Sequence, residues 1–223
     1  MILEAHDIEK WFFRGRGSSN RFFAVERTNL SLEPGMVTVL TGRSGSGKTT
    51  LMNMLAGLLS PDNGTVMADG QDLYRLSDAA LSRLRNQHFG MIPQGADLFP
   101  ELTVMENILL PQGIICPVDP DIEKNACILL EQMNILPLER VFAKELSGGE
   151  RRRVCVARAL AGKPEIIFAD EPTSELDDEN VKVVLSVLRQ AADDGAAVMI
   201  VTHDREALDY ADVTARMDGG KIL

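Results

Sequence analysis

Apolar residues recur along the chain with the two spacings that distinguish buried strands from helices. The run 36–41 (MVTVLT) is short, apolar and β-branched, which predicts a buried strand, and a glycine-rich loop follows it directly. The next segment, 48–58, places apolar residues at helical spacing, namely Leu51, Met54, Leu55 and Leu58. This part of the chain is therefore predicted to run from strand to loop to helix.

Strands and helices continue to alternate along most of the remaining sequence. The pattern predicts further strands at 64–68, 89–93, 165–170 and 196–204, with a closing strand pair at the end. It predicts further helices at 78–87, 178–193 and 205–211. Such alternation is typical of a mostly parallel sheet covered on both faces, and the hairpin signal after 64–68 indicates an antiparallel part. The predicted fold class is α/β.

The middle of the chain, about 95–160, has a different character. Helical patterns dominate there, at 103–109, at 121–133 and after Ser147, and prolines punctuate them. We interpret this stretch as a helical subdomain inserted into one domain that spans 1–223. The core, including the antiparallel β part, is then expected to consist of about 1–94 and 161–223.

The net charge and the spacing of the cysteines argue against nucleic-acid binding and against CxxC-type sites. The 223 residues carry a net charge of −10, and an acidic chain repels nucleic-acid backbones, so no nucleic-acid partner is expected. The clearest basic cluster, Arg151–Arg153, is expected to face solvent or neighbouring acids. The cysteines form no CxxC pair and are expected to be reduced, buried or half-buried thiols, namely Cys116, Cys127 and Cys155.

No targeting or membrane-spanning segment is predicted. The N-terminal MILEAHDIEK lacks the apolar stretch of a signal peptide. Apolar runs such as 196–201 are far shorter than the ~20 residues that a membrane span needs. A cytoplasmic protein is expected, and docking onto a membrane protein remains open.

The strongest motif is GRSGSGKT at 42–49, which fits the phosphate-binding pattern G-x-x-x-x-G-K-[ST] between a strand and a helix. Its glycines let backbone N–H groups surround a phosphate, Lys48 can reach the outer phosphates, and the Thr49 hydroxyl can bind Mg²⁺. Nucleotide binding is accordingly predicted for Gly42, Arg43, Ser44, Gly45, Ser46, Gly47, Lys48, Thr49 and Thr50.

A pair of acids follows the predicted strand 165–170. Asp170 and Glu171 lie at the carboxyl end of that strand, which is the edge of a parallel sheet where ligands bind. Two adjacent carboxylates in a dry site are costly unless a cation is present. Asp170 is therefore predicted to hold Mg²⁺ through water, and Glu171 to polarise an attacking water molecule.

A second segment, ELSGGE at 145–150, also has the form of a phosphate-binding helix start, because a serine and two glycines precede a helical run. Taken together, GRSGSGKTT, ELSGGERRRVCVARAL, IIFADEPTSELD and VTHD resemble the nucleotide-binding subunits of ABC transporters. The motifs occur in the family's order and at its spacing, and the resemblance covers essentially the whole chain. We call residues 145–150 the signature segment.

The resemblance implies an active, Mg²⁺-dependent ATPase that works as a head-to-tail dimer of this chain with itself or with a related chain. ATP in the phosphate loop of one subunit would be covered by the signature segment of the other, through Ser147, Gly148 and Gly149. The resemblance would then explain why one chain has two phosphate-binding helix starts: one would bind its own ATP, and the other would cover the ATP of the second subunit. The residues alone do not show this.

Further roles are carried over by position. The resemblance assigns Gln94 to Mg²⁺ and the γ-phosphate, His203 to the γ-phosphate and Asp177 to communication across the dimer. Phe12 occupies the place of an aromatic residue that stacks on adenine. Its neighbours Trp11 and Phe13 remain alternatives for that role.

The sequence also departs from the family's usual pattern at three positions. Glu150 replaces the commoner glutamine after the signature glycines, and Pro93 is expected to stiffen the loop before Gln94. Glu175 stands where many members have alanine or glycine, and an acid there is expected to weaken dimerisation. The catalytic positions are all retained.

Within the family, the segments SDAALSRLRNQHFGMIPQ (77–94) and LTVMENILLP (102–111), in a chain that ends with DGGKIL, resemble short ATPases of the macrolide-exporter, lipoprotein-releasing and cell-division type. That subgroup implies an exporter or a transporter that transmits motion to extracytoplasmic domains. That resemblance implies a separate transmembrane permease as partner and a location on the cytoplasmic face of the membrane. The exposed part of 103–111 would contact the permease, whereas Leu109–Pro111 is expected to pack in the core. The alternative is a non-transport ABC ATPase acting in cell division, in DNA repair or on the ribosome, and the sequence does not identify a substrate.

Overall fold

The computed structural model describes residues 1–13, 21–114 and 119–223. Its strands are β1 (Leu3–Phe13), β2 (Arg21–Leu32), β3 (Val37–Gly42), β4 (Asn63–Ala68), β5 (Gln71–Asp72), β6 (Phe89–Ile92), β7 (Ile166–Asp170), β8 (Ala197–Val201), β9 (Val213–Asp218) and β10 (Lys221–Ile222). Its α-helices are α1 (Lys48–Leu55), α2 (Asp78–His88), α3 (Val104–Gly113), α4 (Pro120–Gln132), α5 (Gly148–Leu160) and α6 (Asp178–Asp193).

The larger sheet has the strand order β10-β9-β3-β8-β7-β6 in the described part of the chain. The strands from β9 to β6 pair in parallel, and β10 pairs antiparallel with β9. Because neighbouring parallel strands end at one edge, the C-terminal ends of β3, β7 and β8 lie side by side. The predicted α/β class with a mostly parallel sheet is confirmed.

Both faces of this sheet are buried, and the residues of β7 alternate between two cores. Ile167 and Ala169 belong to the core beneath α5 and α6, whereas Ile166 and Phe168 belong to the core that contains α1. The five residues of β8 alternate between the same two cores and are also fully buried. Because β7 and β8 are buried on both faces, their C-terminal ends are held rigidly. The side chains that follow these strands at the edge of the sheet are therefore held in fixed positions.

A smaller antiparallel sheet has the order β2-β1-β4-β5 and packs on the α1 side of the larger one. The predicted strand at 64–68 is β4, but the sequence reasoning missed β1 and β2. Register shifts between Ala5 and Ile8, and again before Trp11, interrupt the two-residue alternation that a strand prediction uses. The antiparallel β part itself is confirmed.

The helices α3, α4 and α5 pack against one another in the region 95–160, for which the sequence predicts a helical subdomain. Thr103 and Glu106 form a reciprocal capping box at the start of α3, and Asp119 caps α4, whose first residue is Pro120. Buried Asn107 donates to the carbonyl oxygens of Phe99, Leu102 and Thr103, and so fixes the loop that enters α3.

Several predicted boundaries are wrong by a few residues. Helix α1 ends at Leu55 rather than at 58, because Gly57 adopts a positive φ of 67° and turns the chain. Helix α3 extends to Gly113, beyond the predicted 109, and contains Pro111. The predicted short helix at 205–211 is a 3₁₀ turn over Glu206–Tyr210.

Two of the cysteines can be placed. Cys155 is buried and Cys127 is half-buried, as expected, whereas Cys116 lies outside the described residues. Among the residues that the structure describes, none of the helices combines the length and the apolar character needed to cross a membrane.

Candidate functional site

The phosphate loop, residues 42–49, connects β3 to α1 and can be built only with glycine at two of its positions. A Cβ atom at Gly42 would lie 2.2 Å from the carbonyl oxygen of Met217, and one at Gly47 would lie 2.0 Å from that of Ala24. Both glycines also have positive φ values, 154° and 107°. Close packing against β9 and β2 therefore fixes the loop, while Gly45 faces open space.

Lys48 begins α1 and is buried, with only 8% of its surface exposed. Its Nζ donates to the carbonyl oxygens of Gly42 and Arg43, at 2.9 and 3.1 Å. The ammonium group therefore lies across the mouth of its own loop, where a phosphate oxygen could replace a carbonyl as acceptor. The hydroxyl of Ser46 is also buried there and has no hydrogen-bond partner among the described residues.

Thr49 and Asp170 meet where α1 faces the end of β7. The Thr49 hydroxyl donates to Oδ2 of Asp170 at 2.8 Å, and Asp170 is 3% exposed. Burial raises the pKa of Asp170, and the hydrogen bond from Thr49 opposes that shift. A hydroxyl next to a carboxylate supplies the hard oxygen ligands that Mg²⁺ prefers, so this pair fits the ion.

Glu171 turns away from β7 with a φ of 50°, in the left-handed region that a non-glycine residue seldom adopts. Its N–H donates to the carbonyl of Val201 on β8. Its carboxylate accepts from the Thr202 hydroxyl at 2.9 Å and lies 2.9 Å from Nδ1 of His203. The end of β8 thus holds the carboxylate at the sheet edge beside the phosphate loop.

These side chains line one cavity of about 570 Å³ at the edge of the larger sheet. Its lining residues are Gly42, Arg43, Ser44, Gly45, Lys48, Thr49, Gln94, Asp170, Glu171, Ser174, Glu175 and His203. The sequence reasoning predicted ten of these twelve as nucleotide or catalytic residues, the exceptions being Ser174 and Glu175. A donor-rich loop faces two acids across the cavity, an arrangement suited to a phosphate and its metal ion.

A second cavity, of about 580 Å³, lies on the other side of the phosphate loop. Phe12 lines it together with Phe22, Phe23 and Thr50, and 38% of Phe12 is exposed. Trp11 is instead packed edge-on against Phe23, with the Arg21 guanidinium 3.7 Å from the centre of its ring. This geometry favours Phe12 over Trp11 as the aromatic surface open to a flat ring system.

The signature segment lies outside both cavities of this single chain. Ser147 caps α5, and its N–H and its hydroxyl both donate to Oε2 of Glu150 at 2.8 Å. The N–H of Ser147 lowers the pKa of the Glu150 carboxyl. The donors of Ser147 are thus satisfied within the chain by the acid that replaces the commoner glutamine.

A second acid lies on the signature glycines. Oε2 of Glu175 is 2.7 Å from the point where a Cβ of Gly148 would stand, and Glu175 has a φ of 67°. Glu175 belongs to the loop 171–177, which also contains cavity residues and ends at Asp177. Asp177 is exposed and caps α6 through Asn180, whose N–H lowers the pKa of that carboxyl. It does not line the phosphate cavity.

The expectation for Arg151–Arg153 is wrong at its central residue. Arg152 is only 2% exposed and donates to backbone carbonyls of Pro93 and Gln94 and to the hydroxyl of Ser174. A spacing signal was present in the sequence, because buried residues follow at three, four and seven positions, namely Cys155, Val156 and Ala159. The three consecutive charged residues favoured an exposed position for all of Arg151–Arg153, although one face of α5 is apolar and buried.

Comparison with known protein families assigns most of the chain. A family profile described as "ABC transporter" matches residues 25–174. The "Lipoprotein-releasing system ATP-binding protein LolD" of Anaplasma marginale is 36% identical over 99% of this chain and 97% of its own length. The protein of that name from Pseudomonas syringae pv. tomato is 37% identical, over 100% of this chain and 97% of its own length.

Solved structures agree with the fold. The ATP-binding cassette MJ0796, described in a dimeric post-hydrolysis state bound to ADP and Pi, superposes with a TM-score of 0.89. It is 28% identical in sequence, and the superposition covers 99% of this chain and 96% of the other. A second structure, described as a nucleotide-free ATP-binding cassette from an ABC transporter, gives 0.81 at 27% identity, over 100% of this chain and 89% of the other.

The buried carboxylate of Asp170 generates a prediction about metal-dependent stability. We expect Asp170→Asn to leave the metal-free protein at least as stable as wild type, because an amide removes a costly buried charge and can still accept from Thr49. Wild type at 100 times the Kd for Mg²⁺ and ATP should gain about 2.7 kcal/mol in its free energy of unfolding. The variant should lose the part of this gain that depends on Mg²⁺.

Chemical denaturation in ATP with Mg²⁺ or with EDTA measures both effects. The matched control is Asp78→Asn, which neutralises an exposed acid at the start of α2 and should retain the Mg²⁺-dependent gain. If Asp170→Asn retained that gain in full, the role of Asp170 as a magnesium-holding residue would be refuted.

Proposed function

Because this chain belongs to the ABC transporter family, we propose that it is the ATP-hydrolysing subunit that drives a separate membrane permease in a transporter of the lipoprotein-releasing type. ATP binding and hydrolysis coupled to transport are the activities of the family. The full-length similarity to two proteins named for lipoprotein release supports the narrower assignment. The observation that carries the proposed chemistry is the meeting of Lys48, Thr49, Asp170 and Glu171 in one cavity.

The residues that line this cavity have different roles in phosphoryl transfer. Backbone N–H groups of the phosphate loop and Lys48 bind the β- and γ-phosphates, and the dipole of α1 adds partial positive charge. Thr49, Asp170 and Gln94 would hold Mg²⁺, Asp170 through water, and the ion would supply positive charge that offsets the charge of the phosphate oxygens. Phe12 stacks on the adenine at the far side of the loop.

Glu171 acts on the attacking water. Its carboxylate orients or deprotonates that water, and His203, 2.9 Å away, stabilises charge on the γ-phosphate. Because charge spreads over the γ-phosphoryl oxygens in the transition state, catalysis consists mainly of positioning and electrostatic stabilisation. The left-handed backbone at Glu171 is an expected place for strain that serves positioning.

Two chains complete each site. In a head-to-tail dimer, Ser147, Gly148 and Gly149 at the start of α5 cover the γ-phosphate of ATP held by the other chain, and Asp177 lies near the shared interface. In the single chain Glu150 occupies the donors of Ser147, and Glu175 lies on Gly148. ATP-dependent closure therefore requires Glu150 to share those donors and Glu175 to withdraw from the glycine.

The permease is expected to dock in the cleft beside α3. A cavity of about 320 Å³ there is lined by residues of the core and of the helical region, among them Leu58, Arg85, Met91, Pro111 and Arg158. Leu58 is 55% exposed, and Ile114, at the end of α3, is 73% exposed. A permease helix inserted in this cleft would place the subunit peripherally on the cytoplasmic face of the membrane.

Neutralising Glu171 separates binding from turnover. Glu171→Gln should bind ATP and close the dimer but hydrolyse ATP at least 100-fold more slowly than wild type, because the amide can neither deprotonate nor strongly polarise water. Phosphate release and size-exclusion chromatography with Mg²⁺ and ATP measure the two properties. Near wild-type turnover in Glu171→Gln would remove Glu171 from its assigned role.

The same trapped variant identifies the partner. Glu171→Gln purified from detergent-solubilised membranes with ATP should carry a four-span permease that has a large extracytoplasmic domain. A many-span permease with a solute-binding protein would point to an importer. Recovery of only soluble partners or nucleic acid would refute the transport assignment and favour a non-transport ABC ATPase.

Glu175 should weaken the closed dimer. In the Glu171→Gln background, Glu175→Ala should lower the Kd of ATP-dependent dimerisation by about tenfold, because it removes a carboxylate from the surface that approaches the γ-phosphate. The control Glu179→Ala removes an exposed acid from the first turn of α6 and should change the Kd little. Sedimentation over a concentration series measures the Kd, and an unchanged value for Glu175→Ala would contradict this assignment.

A further inference from the structure

The guanidinium of Arg152 makes contacts that a surface arginine would not make. The side chain is 2% exposed and is among the largest fully buried side chains of the described residues. Its recorded partners are two backbone carbonyls and one hydroxyl, none of them an anion. Burying a cation that has no anion among its hydrogen-bond partners is costly, so a gain elsewhere must offset that cost.

The partners of Arg152 belong to two separate loops of the phosphate cavity. Nη1 donates to the carbonyl of Pro93 at 2.7 Å, and Nη2 donates to the carbonyl of Gln94. Nη2 also donates to the Ser174 hydroxyl at 2.6 Å. Gln94 and Ser174 both line the cavity, whereas Arg152 does not, so any effect of Arg152 on the reaction passes through these neighbours.

Arg152 also belongs to the helix that begins with the signature segment. It lies in the second turn of α5, whose first residues are Gly148 and Gly149. One side chain therefore connects three parts of the site: the signature helix, the backbone of the loop that carries Gln94, and the loop 171–177. A planar fork with several N–H donors can hold several acceptors at once, which a lysine ammonium on a flexible stem does less well.

We propose that Arg152 is a positioning residue that keeps Gln94 and the loop 171–177 in register with the start of α5. The inference rests on the proposed function, because it assumes that Gln94 serves the metal ion and the γ-phosphate. Without the guanidinium, the loops and the helix move independently, and the groups that meet the γ-phosphate no longer assemble together. The positive charge also lies close enough to Asp170 to oppose the rise in its pKa.

The first test is the activity of Arg152→Met, which keeps a long apolar stem but no donors. We expect kcat for ATP hydrolysis to fall by about tenfold to a hundredfold, as a displacement of about 1 Å in a positioning group can produce. The Kd for ADP should stay within twofold of wild type, because ADP lacks the γ-phosphate that Gln94 serves. A kcat within twofold of wild type in the folded variant would overturn the proposal.

The matched control is Arg189→Met. Arg189 is also an arginine that donates to a backbone carbonyl, that of Gly35, and to the carboxylate of Asp212, but it lies away from the phosphate cavity. Its loss should lower the melting temperature without changing kcat per folded molecule. If Arg152→Met and Arg189→Met lost the same fraction of kcat, Arg152 would only stabilise the fold, and the proposal would be refuted.

A double variant tests whether Arg152 acts through Gln94. The loss of rate in Arg152→Met with Gln94→Ala should be smaller than the product of the two single losses, because one of the groups that Arg152 positions is already absent. Independent effects would instead multiply, and that result would contradict the proposal. Arg152→Lys keeps the charge but not the fork, so it should restore little activity, and full rescue would show that charge alone is required.

Hydrogen exchange gives a readout that does not depend on activity. In Arg152→Met, backbone exchange should rise at 94–97 and at 173–177 together, while exchange in α1 stays unchanged. Should that variant fail to fold, Ser174→Ala removes one of the three partners and should raise exchange in the loop 171–177 and lower kcat. Unchanged exchange in both loops would overturn the inference even if wild type hydrolyses ATP. An inactive wild type would instead refute the proposed function.

Discussion

The hydrogen bond between Thr49 and Asp170 is the contact on which the arrangement of the site depends. It joins the first turn of α1 to the last residue of β7, so the phosphate loop and the acid pair share one frame. The carboxylate is buried at a cost, because burial raises its pKa. In the proposed function, a divalent cation that arrives with the nucleotide offsets that cost.

The rigidity of this frame comes from the larger sheet. Strands β7 and β8 are buried on both faces, and their ends carry Asp170, Glu171 and Thr202. By contrast, Gln94, Ser174 and Glu175 lie on loops whose positions depend on side-chain contacts with α5. In the proposed function, the fixed half of the cavity binds the nucleotide, and the adjustable half responds to a second subunit or to the permease.

In the proposed function, the signature segment is the second phosphate-binding helix start of this chain, and it acts on the ATP held by the other chain. In the single chain, Glu150 satisfies the donors of Ser147, and Glu175 lies against Gly148. These carboxylates protect an exposed helix start when no phosphate is present, because a helix N-terminus attracts negative charge. In the proposed dimer, the γ-phosphate has to compete with these carboxylates, and closure of the dimer would therefore depend on ATP.

The parts of the fold predicted correctly from the sequence are those set by local patterns. The runs that form β3, β7 and β8 are apolar on both faces, and Asp177 and Ser147 stand directly before helices that they cap. The strands β1 and β2 were missed because bulges near Asp7 break their alternation. The burial of Arg152 was missed because its charge outweighed the helical spacing of its buried neighbours. Its hydrogen-bond acceptors lie some 60 residues earlier in the chain, and no local pattern identifies them.

In the proposed dimer, each site combines the phosphate loop of one chain with the signature segment of the other. Lys48→Ala should disable the first half, and Gly149→Asp the second, since aspartate suits the first turn of α5 but repels a γ-phosphate. With Glu171→Gln in every chain, differently tagged proteins are mixed with Mg²⁺ and ATP, and mixed dimers are recovered. Mixed dimers should form when the two changes are on different chains, which leaves one complete site, and not when both are on one chain. Equal recovery from the two arrangements would contradict the claim.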